Sequence, residues 1–157
     1  MGFSMVELIV AIAIIGILLA IATINFRQWV VKSNIERETR ELYTDINSAR
    51  LQAIHTKNAQ SVVLNPTSYV LKTYSSLNEN ILGGRSLQTK AVPYQLTPLS
   101  GAYTNSHFQF DSRGFLSNSL GTTIVINPVN SGAAFDCIVL SVGRTNMGRM
   151  TGGACVF

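Results

Sequence analysis

No glycine or proline interrupts the chain between Ile17 and Asn65, and the stretch leading into it, Leu8 to Ala22, is an apolar block. From Phe3 to Phe26 the only polar side chains are Ser4, Glu7, Thr23 and Asn25. As a helix rising 1.5 Å per residue, this segment measures roughly 36 Å, enough to cross a bilayer core of about 30 Å. Glu7 is the anomaly. An acid within an apolar span is costly to bury, so it points to a function and to a positive partner nearby.

The residues around that acid, Gly2-Phe3-Ser4-Met5-Val6-Glu7-Leu8-Ile9, resemble the class III signal of type IV pilins and type II secretion pseudopilins. The resemblance implies cleavage after Gly2 by a prepilin peptidase and N-methylation of the new terminus, Phe3. It implies that Glu7 meets the terminal amine of a neighbouring subunit as helices pack into a filament. The other implied partners are membrane lipid, an inner-membrane assembly platform and further pilin subunits. Physical chemistry agrees: a lone carboxylate in a helical bundle takes up a proton or finds a cation, and a neighbour's ammonium supplies one. A position near the helix N-terminus adds a modest dipole benefit.

Two plainer readings compete. A cleaved secretory signal wants a basic n-region, a shorter apolar core and an A-x-A-like site. Here the apolar run is longer and carries an acid. A simple single-pass anchor explains the length but leaves Glu7 without a purpose. The charges flanking the span raise a separate question of orientation. Met1 and Gly2 are uncharged while Arg27 and Lys32 follow the span, so the positive-inside rule alone would put the C-terminal part in the cytoplasm. Family precedent and the cysteines argue for a single-pass inner-membrane protein with its C-terminal domain outside. A longer basic leader ahead of Met1 would remove the conflict.

The 157 residues therefore divide into a leader remnant (1–2), a transmembrane and filament-core helix (3–26), an amphipathic helix (27–56) and a β-domain (57–157). Mean hydropathy is +0.25, and much of the apolar excess sits before residue 27. The remainder is rich in Ser, Thr, Asn and Gly, as in β-rich extracytoplasmic domains. The net charge of +4 is spread without a run, so it permits nucleic-acid contact without arguing for it. Cys137 and Cys155 have no companion cluster for a metal. In an oxidising compartment they form a bridge worth about 3 kcal/mol in the chain-entropy model; in the cytosol they stay as two buried thiols.

Beyond Arg27 the pattern is amphipathic, with Val31, Ile35, Leu42, Ile46, Ala49 and Ala53 at helical spacings. Glu36–Arg40 and Arg37–Glu41 are expected as i,i+4 pairs on a solvated face. After Lys57-Asn58 the period changes. Ser61 to Leu64 and Tyr69 to Tyr74 read as a hairpin about Pro66, and Leu77 to Ser86 as a loop. Pro93 and Pro98 confine any strand in Leu87 to Leu99 to an edge. His107 to Phe110 alternates, Asp111 to Gly114 has turn chemistry, and Thr122 to Asn127 and Cys137 to Val142 read as strands. Gly143 to Thr151 reads as a loop before a short last strand, Ala154 to Phe157.

Within this part, Ile46 to Ile54, Val62 to Leu64, Phe108 to Gly114 and Leu140 to Arg144 resemble the GspH/FimT group of minor pilins and pseudopilins. That resemblance implies an α+β pilin fold: a long N-terminal helix carrying two small antiparallel sheets.

No catalytic constellation is visible, and the expectation is a non-enzymatic protein without cofactor or metal. His55 and His107 lack a local acid or nucleophile, and no phosphate loop, H-E-x-x-H or nucleophile elbow is present. The candidate binding residues are Arg144 and Arg149, on an expected glycine-containing loop, with Arg113 in support. Some FimT-like proteins resemble DNA receptors with paired arginines before the last strand. The resemblance therefore keeps DNA binding beside the structural role, although Gly143-Arg144-x-x-x-Gly148-Arg149 displaces the second arginine.

Overall fold

The computed structural model describes residues 4–76, 83–99, 107–117 and 121–157, with the side chains of 21–25 excepted. One helix, α1 (Met5–Thr56), runs through both the apolar block and the amphipathic stretch. It ends where Lys57 turns left-handed, with φ of 58°. That matches the change of period at Lys57-Asn58.

In the second half of α1 the apolar stripe is the buried face. Ile35, Leu42, Ile46, Ala49 and Ala53 are all enclosed, and Val31 is partly so. They meet the inner faces of two antiparallel sheets. The first sheet contains β1 (Gln60–Asn65), β2 (Ser68–Thr73), β3 (Arg85–Ala91) and β5 (His107–Phe110), in the order β3-β2-β1-β5. The second contains β4 (Leu96–Pro98), β6 (Gly121–Ile126), β7 (Cys137–Ser141), β8 (Thr145–Thr151) and β9 (Ala154–Val156), in that order. Val62, Leu64, Phe108 and Phe110 from one sheet join Ile124, Ile126, Ile138 and Leu140 from the other in a single core beneath the helix. This is the α+β pilin architecture expected from the sequence.

Strands β1 and β2 form the hairpin about Pro66, with Asn65 opposite Ser68. Both proline-flanked strands lie at edges, β3 of the first sheet and β4 of the second. The Asp111–Gly114 turn forms as read, with Gly114 at φ of 83°.

Three expectations change. Residues 145–151 are strand β8, not loop, because Gly148 pairs with Cys137 and the strand then continues against β9. The loop expected over Leu77 to Ser86 lies outside the described residues at 77–82, and its last two residues belong to β3. The helical charges also do not pair four apart. Glu41 binds Lys90 at 2.8 Å and Glu36 accepts the Ala134 N–H at 2.7 Å. Arg37 meets its neighbour Glu38, and Arg40 stacks over the Phe135 ring. Glu36 and Glu41 on the helix flank reach the β-domain instead, one to a backbone N–H and the other to the Lys90 ammonium.

Candidate functional site

Two surfaces stand out, one at each end of α1. At the N-terminal end Ser4 occupies the cap position with φ of −70° and ψ of 141°, and its carbonyl accepts from the Glu7 and Leu8 N–H groups. Glu7 sits in the first turn and is exposed. Around it the apolar residues are bare on every side. Val6 is 69% exposed, Val10 52% and Leu19 61%, with no covered face between Met5 and Ala20. A helix on the surface of a globular domain hides one face; one that is apolar all round is built to be enclosed by lipid or by other helices. Among the described residues no helix is long and apolar enough to cross a membrane. The run Met5 to Ala20 falls short of the about 20 residues a span needs. The expected span of 3–26 also takes in Phe3 and the side chains of 21–25, which lie outside the described residues, as do Gly2 and the cleavage point.

At the other end, the last turns of α1 meet the β5–β6 and β7–β8 connections. The Asp111 carboxylate accepts the N–H groups of Arg113 and Phe115, both at 2.9 Å, and the Arg113 Nε at 3.1 Å. Burial alone would raise the Asp111 carboxyl. The Phe115 and Arg113 hydrogen bonds, with the Arg113 charge, outweigh it and hold the group below the usual range. Arg113 lies over the Phe115 ring at 5.6 Å. Leu116 N–H donates to the Val142 carbonyl, which ties this turn to the one carrying Gly143 and Arg144. Arg50, from the helix, donates through Nη1 to the Gly143 carbonyl at 3.3 Å and stacks 5.0 Å over Phe110. Burial pushes the Arg50 guanidinium down, against the influence of Tyr43.

The structure thus brings Arg113 and Arg144 onto adjoining turns and adds Arg50, which the sequence reading did not single out. Arg149 is elsewhere. It lies well along β8, opposite Val156, roughly 17 Å from Arg144 at about 3.4 Å per residue. The two arginines expected on one loop are held apart by a strand.

Residues 2–23 match the prokaryotic N-terminal methylation motif. Among solved structures, the chain is similar to the type IV minor pilin FimU of Pseudomonas aeruginosa in two crystal forms. In one, identity is 13%, the TM-score is 0.55, and the match covers 76% of this chain and 91% of FimU. In the other the figures are 16%, 0.53, 69% and 88%. The fold is pilin-like. No curated protein matches it by sequence.

Two further features brace this pilin-like domain. Cys137 and Cys155 are bonded, with their Cα atoms 6.0 Å apart, joining β7 to the last strand as the oxidising reading expected. On the opposite flank, Asp45 accepts from the Tyr69 hydroxyl and binds Lys90 at 2.7 Å, so one carboxylate links α1 to β2 and β3. Burial first, and the Asp45 carboxylate next, push the Tyr69 hydroxyl up, which keeps it a donor at any physiological pH. His55 is exposed and His107 half-buried, the latter held down by desolvation.

Proposed function

We propose that this chain is a structural subunit, of the minor kind, in a type IV pilus or a type II secretion pseudopilus, entering the filament through α1. One observation carries the reading: the methylation motif opens a helix whose first turns are apolar on every side and whose later turns are locked into a folded domain. A helix joined rigidly to its domain transmits its packing position to that domain, as a filament lattice requires. Glu7 would match the amine of a neighbouring Phe3 once cleavage after Gly2 has freed it. The Cys137–Cys155 bond supports an oxidising location for the β-domain. The likeness to a minor pilin supports the minor role. A DNA-receptor reading built on Arg144 and Arg149 is the alternative, with Arg144 on the turn before β8 and Arg149 within that strand.

The test is mass spectrometry of the chain from cells that contain a prepilin peptidase, together with filament incorporation of Glu7→Ala. A mature form starting at methylated Phe3, and loss of the Glu7→Ala chain from sheared filaments, are the expected results. An intact Met1, or normal incorporation of the variant, would reduce the protein to a tethered domain.

A further inference from the structure

The C-terminal end of α1 carries an exposed apolar patch that the assembly helix does not use. Leu51 is 65% exposed, Phe115 47%, Val142 41% and Ile54 38%. They come from three segments but share one surface. A β-carbon on Gly114 would lie 2.7 Å from Ile54 Cδ1 and 3.2 Å from Arg50 Cγ, so the turn rests directly on the helix. A β-carbon on Gly143 would touch the Phe115 ring at 3.6 Å, and the Leu116 N–H holds the Val142 carbonyl. Gly114, at a positive φ, is the reason its turn can close on the helix.

The surrounding charge is positive. Arg113 and Arg144 are exposed on the two turns, and Arg50 stands between them. The acid within these turns, Asp111, pairs with Arg113 through Nε and Nη2, so the net positive charge comes from Arg144 and Arg50. Arg50 is unusual: its Nε and Nη2 are enclosed and meet no acceptor. A desolvated guanidinium with two unmatched donors is costly, and a carboxylate docked over the patch lowers that cost through its charge without touching the enclosed nitrogens.

We propose that this end of the domain is a docking site for an acidic protein segment with an aliphatic or aromatic anchor. The anchor covers Leu51, Ile54, Phe115 and Val142, and its carboxylates meet the exposed Arg113 and Arg144 above the enclosed Arg50 charge. Nucleic acid fits less well. Phosphates would match the arginines, but bases stack on aromatic platforms. Three of the four apolar residues here are aliphatic, and Arg113 already lies over the Phe115 ring. The patch sits roughly 45 Å beyond Ala20 along the helix at 1.5 Å per residue, so it stays open while the apolar end is engaged. The proposal goes beyond the assembly role of α1 and does not require it.

The experiment uses the full chain in lipid nanodiscs and fluorescence anisotropy with a labelled short peptide in which Asp and Glu flank Leu and Phe. Three comparison probes are the same peptide with Gln for its acids, the same peptide with Ser for its apolar residues, and an oligothymidylate. Saturable binding of the acidic apolar peptide is expected, weaker by about tenfold or more for each of the first two comparison peptides. The same loss is expected in Phe115→Asp and in Arg144→Glu, with unfolding temperature unchanged. Arg144→Glu lies on an exposed turn and carries the test alone if Phe115→Asp lowers stability. Glu7→Ala should bind the peptide normally, which separates this site from filament assembly. Equal binding of the comparison peptides, no binding at all, or oligothymidylate binding lost in the same variants would each overturn the proposal.

Discussion

Cys155 lies against Gly148, so that a β-carbon built on the glycine would come within 2.9 Å of the cysteine sulphur and closer still to the Val156 carbonyl. Gly148 is also the residue at which β8 changes partner, from Cys137 in β7 to the strand that carries Cys155. The disulfide crosses over a position where only a hydrogen fits. Gly148→Ala should cost about 1–3 kcal/mol through overpacking against backbone that cannot move aside. Cys155→Ser should cost about 3 kcal/mol. The double variant should lose less than the two losses added, because removing the sulphur relieves part of the clash. Denaturant unfolding of the four proteins under oxidising conditions checks this, and strict additivity would count against it.

That crossing also explains what the sequence hid. Gly143, Gly148, Gly152 and Gly153 punctuate the stretch after β7, and by local rules such spacing reads as loop. Gly148 is there for a contact with Cys155, seven positions on, and no local pattern encodes a tertiary contact. The helix was legible because its stripe and its end at Lys57 are local, repeated signals. The hairpin about Pro66 and the turn at Gly114 were legible for the same reason. Arg50 was not. Within α1 it is one more polar residue beside a buried Ala49, and its meaning comes only from Phe110 and Gly143, far away in sequence.

Asp136 sets a stability limit of its own. It is fully buried; one carboxylate oxygen accepts the Met150 N–H at 2.6 Å and the other has no partner. Burial pushes its carboxyl up, more than the Met150 hydrogen bond and the Arg149 charge pull it down. A group whose folded value is raised contributes its stability below the unfolded value of about 3.9 and loses it as pH rises through the folded value. Asp136→Asn keeps an oxygen for Met150 and removes the charge. It should raise stability by roughly 1 kcal/mol at pH 7, with the gain shrinking toward zero below pH of about 4. Thermal melts across that range read the difference directly, and a variant less stable at pH 7 would refute the assignment.

Asp111 works in the opposite direction. Its folded value is depressed by the donors from Phe115 and Arg113, so its contribution is present above the unfolded value of about 3.9 and lost as pH falls through the folded one. Asp111→Ala removes the acceptor for both turn N–H groups and should cost about 1–3 kcal/mol at pH 7. In strong acid the variant and the parent should converge. The β5–β6 turn should also show faster amide exchange at Arg113 and Phe115 in the variant, which distinguishes loss of the turn from general destabilisation.

The Arg50 guanidinium separates stability from binding. Its stem packs against the Gly114 turn, its charge is desolvated, and its ring contact with Phe110 is a cation–π pair of about 0.5–2 kcal/mol. Arg50→Met keeps the stem volume, gives up that pair and the bond to Gly143, and removes two unmatched donors. These effects oppose one another, so unfolding free energy should change by less than about 1 kcal/mol. Were Arg50 a purely structural cation, the loss would be several times larger. If the guanidinium is held in readiness for an incoming carboxylate, Arg50→Met should retain the parent's denaturation midpoint while weakening the acidic peptide about tenfold. A variant that melts early and still binds normally would assign Arg50 to the fold alone.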